Sequence, residues 1–141
     1  MARIIYNNII PFKGFQAITI WPWIFARNSA KWLKDYVVNH EGIHLRQQLE
    51  VLIVSAVVMA TTILLTGISW WWMGIVPFFY YIWYCVEYLI RLCLYGNRNE
   101  AYRNIATEQE AFLNEHDFNY LKEERMAFAW VKYLGRKTYR R

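Results

Sequence analysis

The chain has 141 residues, of which 57% are hydrophobic and 19% aromatic, and its formal net charge is +5. That length bounds a single domain, and the basic balance comes without a base-reading motif, so nucleic acid is not an expected partner. The two cysteines, Cys85 and Cys93, share one apolar stretch; their spacing fits no zinc pattern and no bridge within a helix, which excludes a disulfide scaffold and leaves them as packing residues.

Residues 2–28 alternate short apolar runs with turn signals at Asn7-Asn8, Pro11, Gly14 and Pro22. This pattern predicts two or three short strands, with a hairpin centred near Pro22. Asn28 or Ser29 can cap a following helix that starts near Ala30 or Lys31. No Pro or Gly interrupts Trp32 to His40, and the helix then carries His40-Glu41-Gly42-Ile43-His44. This is an H-E-x-x-H pattern. Histidines four apart lie on one helical face, one turn apart, so both rings can reach one metal ion. The glutamate between them is placed to take a proton from water activated by that ion. Gly42 inside the motif costs the helix about 1 kcal/mol relative to Ala.

The motif helix runs directly into an apolar region. No charged residue stands between Glu50 and Glu87. The run is too long for one buried helix and suits a hairpin of two apolar arms, one from about Gln48 to Ile68 and one from about Gly74 to Tyr95. Gly67 and Gly74 bound the break, and the Trp70-Trp71-Trp72 triplet between them reads as an interfacial aromatic belt. Pro77 is tolerated in a first turn. All 16 Lys and Arg lie outside the uncharged run. The positive-inside rule therefore puts both termini, and the metal site, on the cytoplasmic side of an inner or plasma membrane. The tail residues Lys132, Arg136, Lys137, Arg140 and Arg141 can rest on anionic headgroups or stay solvated. Within the second arm, Glu87 and Arg91 are i, i+4; an antiparallel hairpin predicts an ion-pair cluster that brings Arg91 near Glu50 and Gln47. Each arm needs flanking residues to cross a full bilayer, so a shallow, partly inserted hairpin is one competing reading; a soluble hairpin buried in a core and a soluble subunit whose hairpin is covered by a partner are the others.

After Gly96 the chain becomes polar and amphipathic, and one helix is predicted within 104–133, capped by Asn104 or Thr107. Two histidines and a water leave zinc one ligand short. Glu108, Glu110, Glu115, His116 and Asp117 are the candidates.

The order of H-E-x-x-H, an apolar hairpin and a downstream acid resembles the gluzincin metallopeptidases. Among these it is most similar to the integral-membrane prenyl-protein and heat-shock peptidases, and in size to the minimal gluzincins. The likeness covers roughly residues 30–116. Those families carry a ligand motif E-x-x-A followed by Asp or Asn, and here Glu108-Gln109-Glu110-Ala111-Phe112 matches its first four positions. The resemblance implies a Zn²⁺ centre of His40, His44 and Glu108, with Glu41 as general base. Glu110, with Asn114 four residues on, is the alternative ligand. Phe112 stands where the families place the acid that braces a ligand histidine. The minimal gluzincins also hold extended substrate on an edge strand, for which Ile18–Ile20 or Ile24–Arg27 are the candidates.

The expected fold is thus α+β and mainly α, a single unit over 1–141. Short strands occupy 2–28, the motif helix and first arm 30–68, the second arm 74–95 and the ligand helix 104–133. The expected function is zinc-dependent hydrolysis of a peptide or membrane-protein substrate at a bilayer. The alternative is a non-catalytic membrane protein with a structural or degenerate metal site.

Overall fold

Alternation builds the N-terminal sheet. In the computed structural model, which describes residues 3–11, 14–30 and 33–139, strands β1 (Arg3–Asn7), β2 (Ala17–Ile20) and β3 (Trp23–Arg27) form one sheet in the order β1-β3-β2. β2 and β3 are the antiparallel hairpin expected around Pro22, with Ile20 opposite Trp23. β1 pairs with β3 in parallel, which leaves β2 as an edge. The inward positions Ala17, Ile24 and Ala26 are buried and pack with Val37 and Leu45 of the first helix. A fully buried isoleucine such as Ile24 contributes about 1.5–3 kcal/mol through its lost apolar surface.

The motif helix α1 spans Asp35–Thr66. It starts later than the capping signal at Asn28 and Ser29 predicted. Asn28–Ala30 form a short tight turn instead, residues 31 and 32 fall outside the described residues, and Lys34 precedes the first helical turn. Asp35 there complements the helix dipole. α1 does run unbroken through H-E-x-x-H into the first arm. It ends at Gly67, whose left-handed φ of 70° lets its N–H bond Ile63 O.

The return arm winds tightly over Trp70–Phe78, where Pro77 lacks an N–H to lose, and continues as α2 (Phe79–Tyr95). Both arms are long and apolar enough to cross a membrane, and only 11% of the apolar window of α1 and 17% of that of the return arm is buried. A core hairpin of a soluble domain would be mostly covered. Cys85 and Cys93 are free thiols exposed on α2, so they lie outside the buried core of the described residues.

Two short helices follow, α3 (Arg98–Arg103), capped by the Asn97 side chain, and α4 (Ala106–Asn114). The single helix predicted within 104–133 does not form. Asn39 of α1 places its amide nitrogen 3.0–3.1 Å from the carbonyls of Asn114, Glu115 and Asp117, and so caps the end of α4 from outside. Asp117 then accepts from the Asn119 N–H in a local turn. The chain continues as a wide helical turn at Tyr120–Glu124 and a tight one at Ala129–Tyr133. α1 is therefore sandwiched: Ile43 packs on Ala111, Tyr120 and Leu121 on the side away from the sheet.

The ionic cluster also differs from expectation. Arg91 pairs with Glu87 at 2.7 Å and donates to the carbonyls of Tyr133 and Arg136, while Glu87 accepts from the Ala106 N–H. Glu50 is held by Arg125 instead. The C-terminal segment folds back over the hairpin base and supplies the partners that an isolated hairpin would have had to find within itself.

Candidate metal centre

α1 and α4 cross so that His40, His44 and Glu108 meet, with ligand atoms all within 4.8 Å of one another. All three side chains are buried. The two Nε2 atoms are 3.2 Å apart, and they lie 3.6 Å (His40) and 3.5 Å (His44) from the oxygens of Glu108. Ligands at zinc distances of about 2.0–2.2 Å in a tetrahedron stand roughly 3.3–3.5 Å from each other.

The outer atoms of the two rings fix which nitrogens face inward. His40 Nδ1 lies 2.8 Å from Glu115 Oε2, a carboxylate that can only accept, so Nδ1 carries the proton. His44 Nδ1 lies 2.9 Å from Gln47 Oε1. Gln47 Nε2 donates to Thr107 O and Glu110 Oε2, which fixes its oxygen as the acceptor for His44. Both Nε2 atoms then present lone pairs to the same point. Glu108 Oε2 is also buried there and accepts no hydrogen bond from the protein. Two imidazole nitrogens and a carboxylate oxygen converging at this spacing are the donor set of a cation, which would take the place of any proton on the inner nitrogens, so the residues fit a metal ion.

Glu108 is further oriented by Tyr84, whose hydroxyl donates to Oε1 at 2.8 Å. Burial works to raise its carboxyl, but positive charge on the rings, His44 first, outweighs burial and holds it well below the usual carboxylate range. A buried carboxylate that keeps its charge beside positive charge is suited to a bound cation.

The other acids are placed elsewhere. Glu110, fully buried, accepts from Gln47, Tyr120 and Arg125, so its lone pairs are committed and it is not a ligand. Glu115 is the brace of His40. His116 is largely exposed and stacks on Tyr36, and Asp117 closes a turn. Phe112, where the brace was expected, packs edge-on against the His40 ring at 4.8 Å, with Arg103 over its other face. The brace has moved three residues on. Its signal in the sequence is helical phase, since Glu115 lies two turns after Glu108 on one face.

Glu41 faces the same cavity, which has a volume of about 230 Å³. Thr19 of β2 lies 2.6 Å from Glu41 Oε2 and gives its single proton to that carboxylate. Sequence reasoning missed Thr19. Its trace is a polar residue on the inward side of an otherwise apolar strand, with 4% of its surface exposed. β2 forms one wall of the cavity through Ala17, Ile18 and Thr19, while Phe15, Tyr81 and Tyr102 make it aromatic. Of the two strands considered for substrate, β3 is central in the sheet and β2 is at its edge. No family model, curated protein or solved structure matches the chain, so the chemistry of this centre carries the functional argument alone.

Proposed function

We propose that the chain is a membrane-anchored zinc metallopeptidase of the gluzincin type, with both termini and the metal site on the cytoplasmic side. One observation carries the reading: three buried donors converge on one point, and the Glu41 carboxylate lines the same cavity. The bound ion supplies Lewis acidity, which makes water more acidic and a peptide carbonyl more electrophilic.

The residues divide the remaining work. Glu41 takes the proton of the attacking water on its carboxylate and delivers it to the departing amine. Thr19 occupies one lone pair of that carboxylate and so fixes the direction in which the rest point. Gln47 and Glu115 hold the two imidazoles in the tautomer that ligates. Tyr102 lines the cavity; burial first, and the charge of Glu108 second, push its phenol well above the usual range. It therefore stays a hydrogen-bond donor, the kind of group a developing oxyanion needs. β2, the edge strand that borders the cavity, is the place for an extended peptide, with its Thr19 carbonyl already held by Gln48 Nε2.

Two features favour catalysis over a structural ion. Among the described residues three side chains converge, whereas a structural zinc site is closed by four. The cavity also gives the site a route for substrate. The membrane assignment rests on the exposed apolar arms and on the absence of Lys and Arg between Glu50 and Glu87.

Metal analysis of detergent-purified protein tests the site. Zinc near one equivalent is expected in the parent chain and loss of it in His40→Ala and His44→Ala; unchanged zinc in both variants overturns the assignment. Glu41→Gln should keep the ion and lose about 10²–10⁴-fold in cleavage of a mixture of quenched fluorescent peptides. Parent-level turnover in that variant removes Glu41 from the role of base.

A further inference from the structure

The free edge of β2 is shorter than the strand. Arg27 N–H donates to Gln16 O, and Ile18 stands opposite Phe25, so residues 16, 18 and 20 turn their backbone groups towards β3. Those of Ala17, Thr19 and Trp21 point outward along the edge. Two of the outward groups are already taken. Gln48 of α1, 5% exposed, donates from Nε2 to Thr19 O at 3.0 Å and accepts the Trp21 N–H on Oε1 at 2.8 Å. An added strand of either direction would need both groups at this point. The amide is also held in place. The Tyr81 hydroxyl of α2 donates to Gln48 Oε1 at 3.1 Å. A carbonyl can only accept and an N–H can only donate, so the Gln48 amide has one orientation here.

The same side chain closes one end of the metal cavity. Gln48, Tyr80 and Tyr81 line both that cavity and a narrower cleft of about 150 Å³, which Trp21, Leu52 and Val76 continue. Side chains common to two hollows form the wall between them. This wall is held from three directions, by α1, α2 and the β2–β3 turn. The other end differs, since past Ala17 the cavity is bordered by Phe15, which is 51% exposed. Thr19 shows how near the wall stands to the chemistry. Its hydroxyl lies 2.6 Å from Glu41 Oε2, while its carbonyl is bound by Gln48.

We propose that Gln48 is a stop at one end of the substrate site, so that the centre takes the terminal residues of a peptide chain and not an interior stretch. The chain pairs with Ala17 and with the Thr19 N–H, and its scissile bond lies beside His40, His44 and Glu108. Beyond that bond the wall leaves room for a stub of about one to three residues at roughly 3.3 Å each. The substrate class is therefore a free peptide end, and the product is a short fragment. This rests on the peptidase reading above and narrows it.

Time-resolved mass spectrometry of the first products from long linear peptides, with the full chain in detergent, tests the stop. The parent should cut within about three residues of a terminus at least tenfold faster than at interior bonds, because an interior stretch must displace a hydrogen-bonded, buried amide. Gln48→Ala should raise interior cuts towards the terminal rate. Gln48→Glu, which keeps an acceptor for Trp21 and Tyr81 but offers no donor to Thr19 O, makes the same comparison if the alanine variant loses zinc or helical signal. Equal cutting of interior and terminal bonds by the parent overturns the stop and leaves the peptidase reading standing. An unchanged preference for termini in a folded, zinc-loaded Gln48 variant overturns it too. If the parent cuts no peptide, or Glu41→Gln cuts as well as the parent, the peptidase reading fails and the stop fails with it.

Discussion

The orientation of the two histidines is set by side chains outside the three-donor cluster. Glu115 fixes the proton on His40 and Gln47 fixes it on His44, so each ring turns a lone pair inward. Loss of such a partner typically weakens metal binding 10–100-fold. Glu115→Ala should therefore weaken zinc by about that factor in a chelator competition. Glu115→Gln, which keeps an accepting oxygen, should recover most of it. Equal affinity in Glu115→Ala and the parent would show that the bond does not orient the ring. At this scale the sequence was partly legible. His40, Glu41, His44 and Glu108 are recognisable because ligand chemistry demands particular residue types at particular spacing. Glu115 and Thr19 were not, because any acceptor on the correct side of His40 or donor near Glu41 will serve, and which side is correct depends on how α4 and β2 cross α1.

Between elements, closeness of approach decides what is tolerated. A Cβ on Gly42 would stand 3.1 Å from Leu121 Cδ1, the end of a flexible side chain. Gly42→Ala gains about 1 kcal/mol of helix propensity against a small shift of Leu121, so it should leave stability within about 1 kcal/mol of the parent. Gly42→Val adds branching that Leu121 cannot evade and should cost about 1–3 kcal/mol by overpacking. Thermal unfolding in detergent, followed by circular dichroism, separates the two; similar melting of both variants would show that the approach is looser than drawn. Arg125 is the other joint. It clasps Glu50 of α1 and Glu110 of α4, and its side chain is 3% exposed. Arg125→Met strands two buried carboxylates and should destabilise by about 3–5 kcal/mol in the same assay. A melting point equal to the parent's would remove that joint from the fold. The two long arms were legible because an uncharged run of that length has few alternatives. The end of the ligand helix was not, since nothing local in 104–133 breaks a helix. What ends α4 is Asn39, seventy-five residues upstream of Asn114 and visible only after folding.

For the whole molecule, apolar surface sets the behaviour. Val57, Val58, Leu64, Leu65 and Leu94 are each at least 59% exposed, and among the described residues nothing covers them. A continuous apolar surface of this kind does not stay in water as a monomer. Membranes carrying the full-length chain should retain it through an alkaline carbonate wash and release it only with detergent. Release by carbonate alone would favour a soluble partner over lipid as the cover of the hairpin.

The crossing of α1 with α4 also governs when the protein becomes able to react. His44 leaves the ribosome roughly 3–13 s before Glu108 at synthesis rates of about 5–20 residues per second. During that interval the first arm and its tryptophan tip are complete, while the third ligand, the brace at Glu115 and the clasp at Arg125 do not yet exist. The nascent chain thus carries both histidines for some seconds before the third donor of their cluster exists. The cluster closes only when α4 folds back against α1, so a product truncated before Glu108 would keep the apolar arms and lack the three-donor centre.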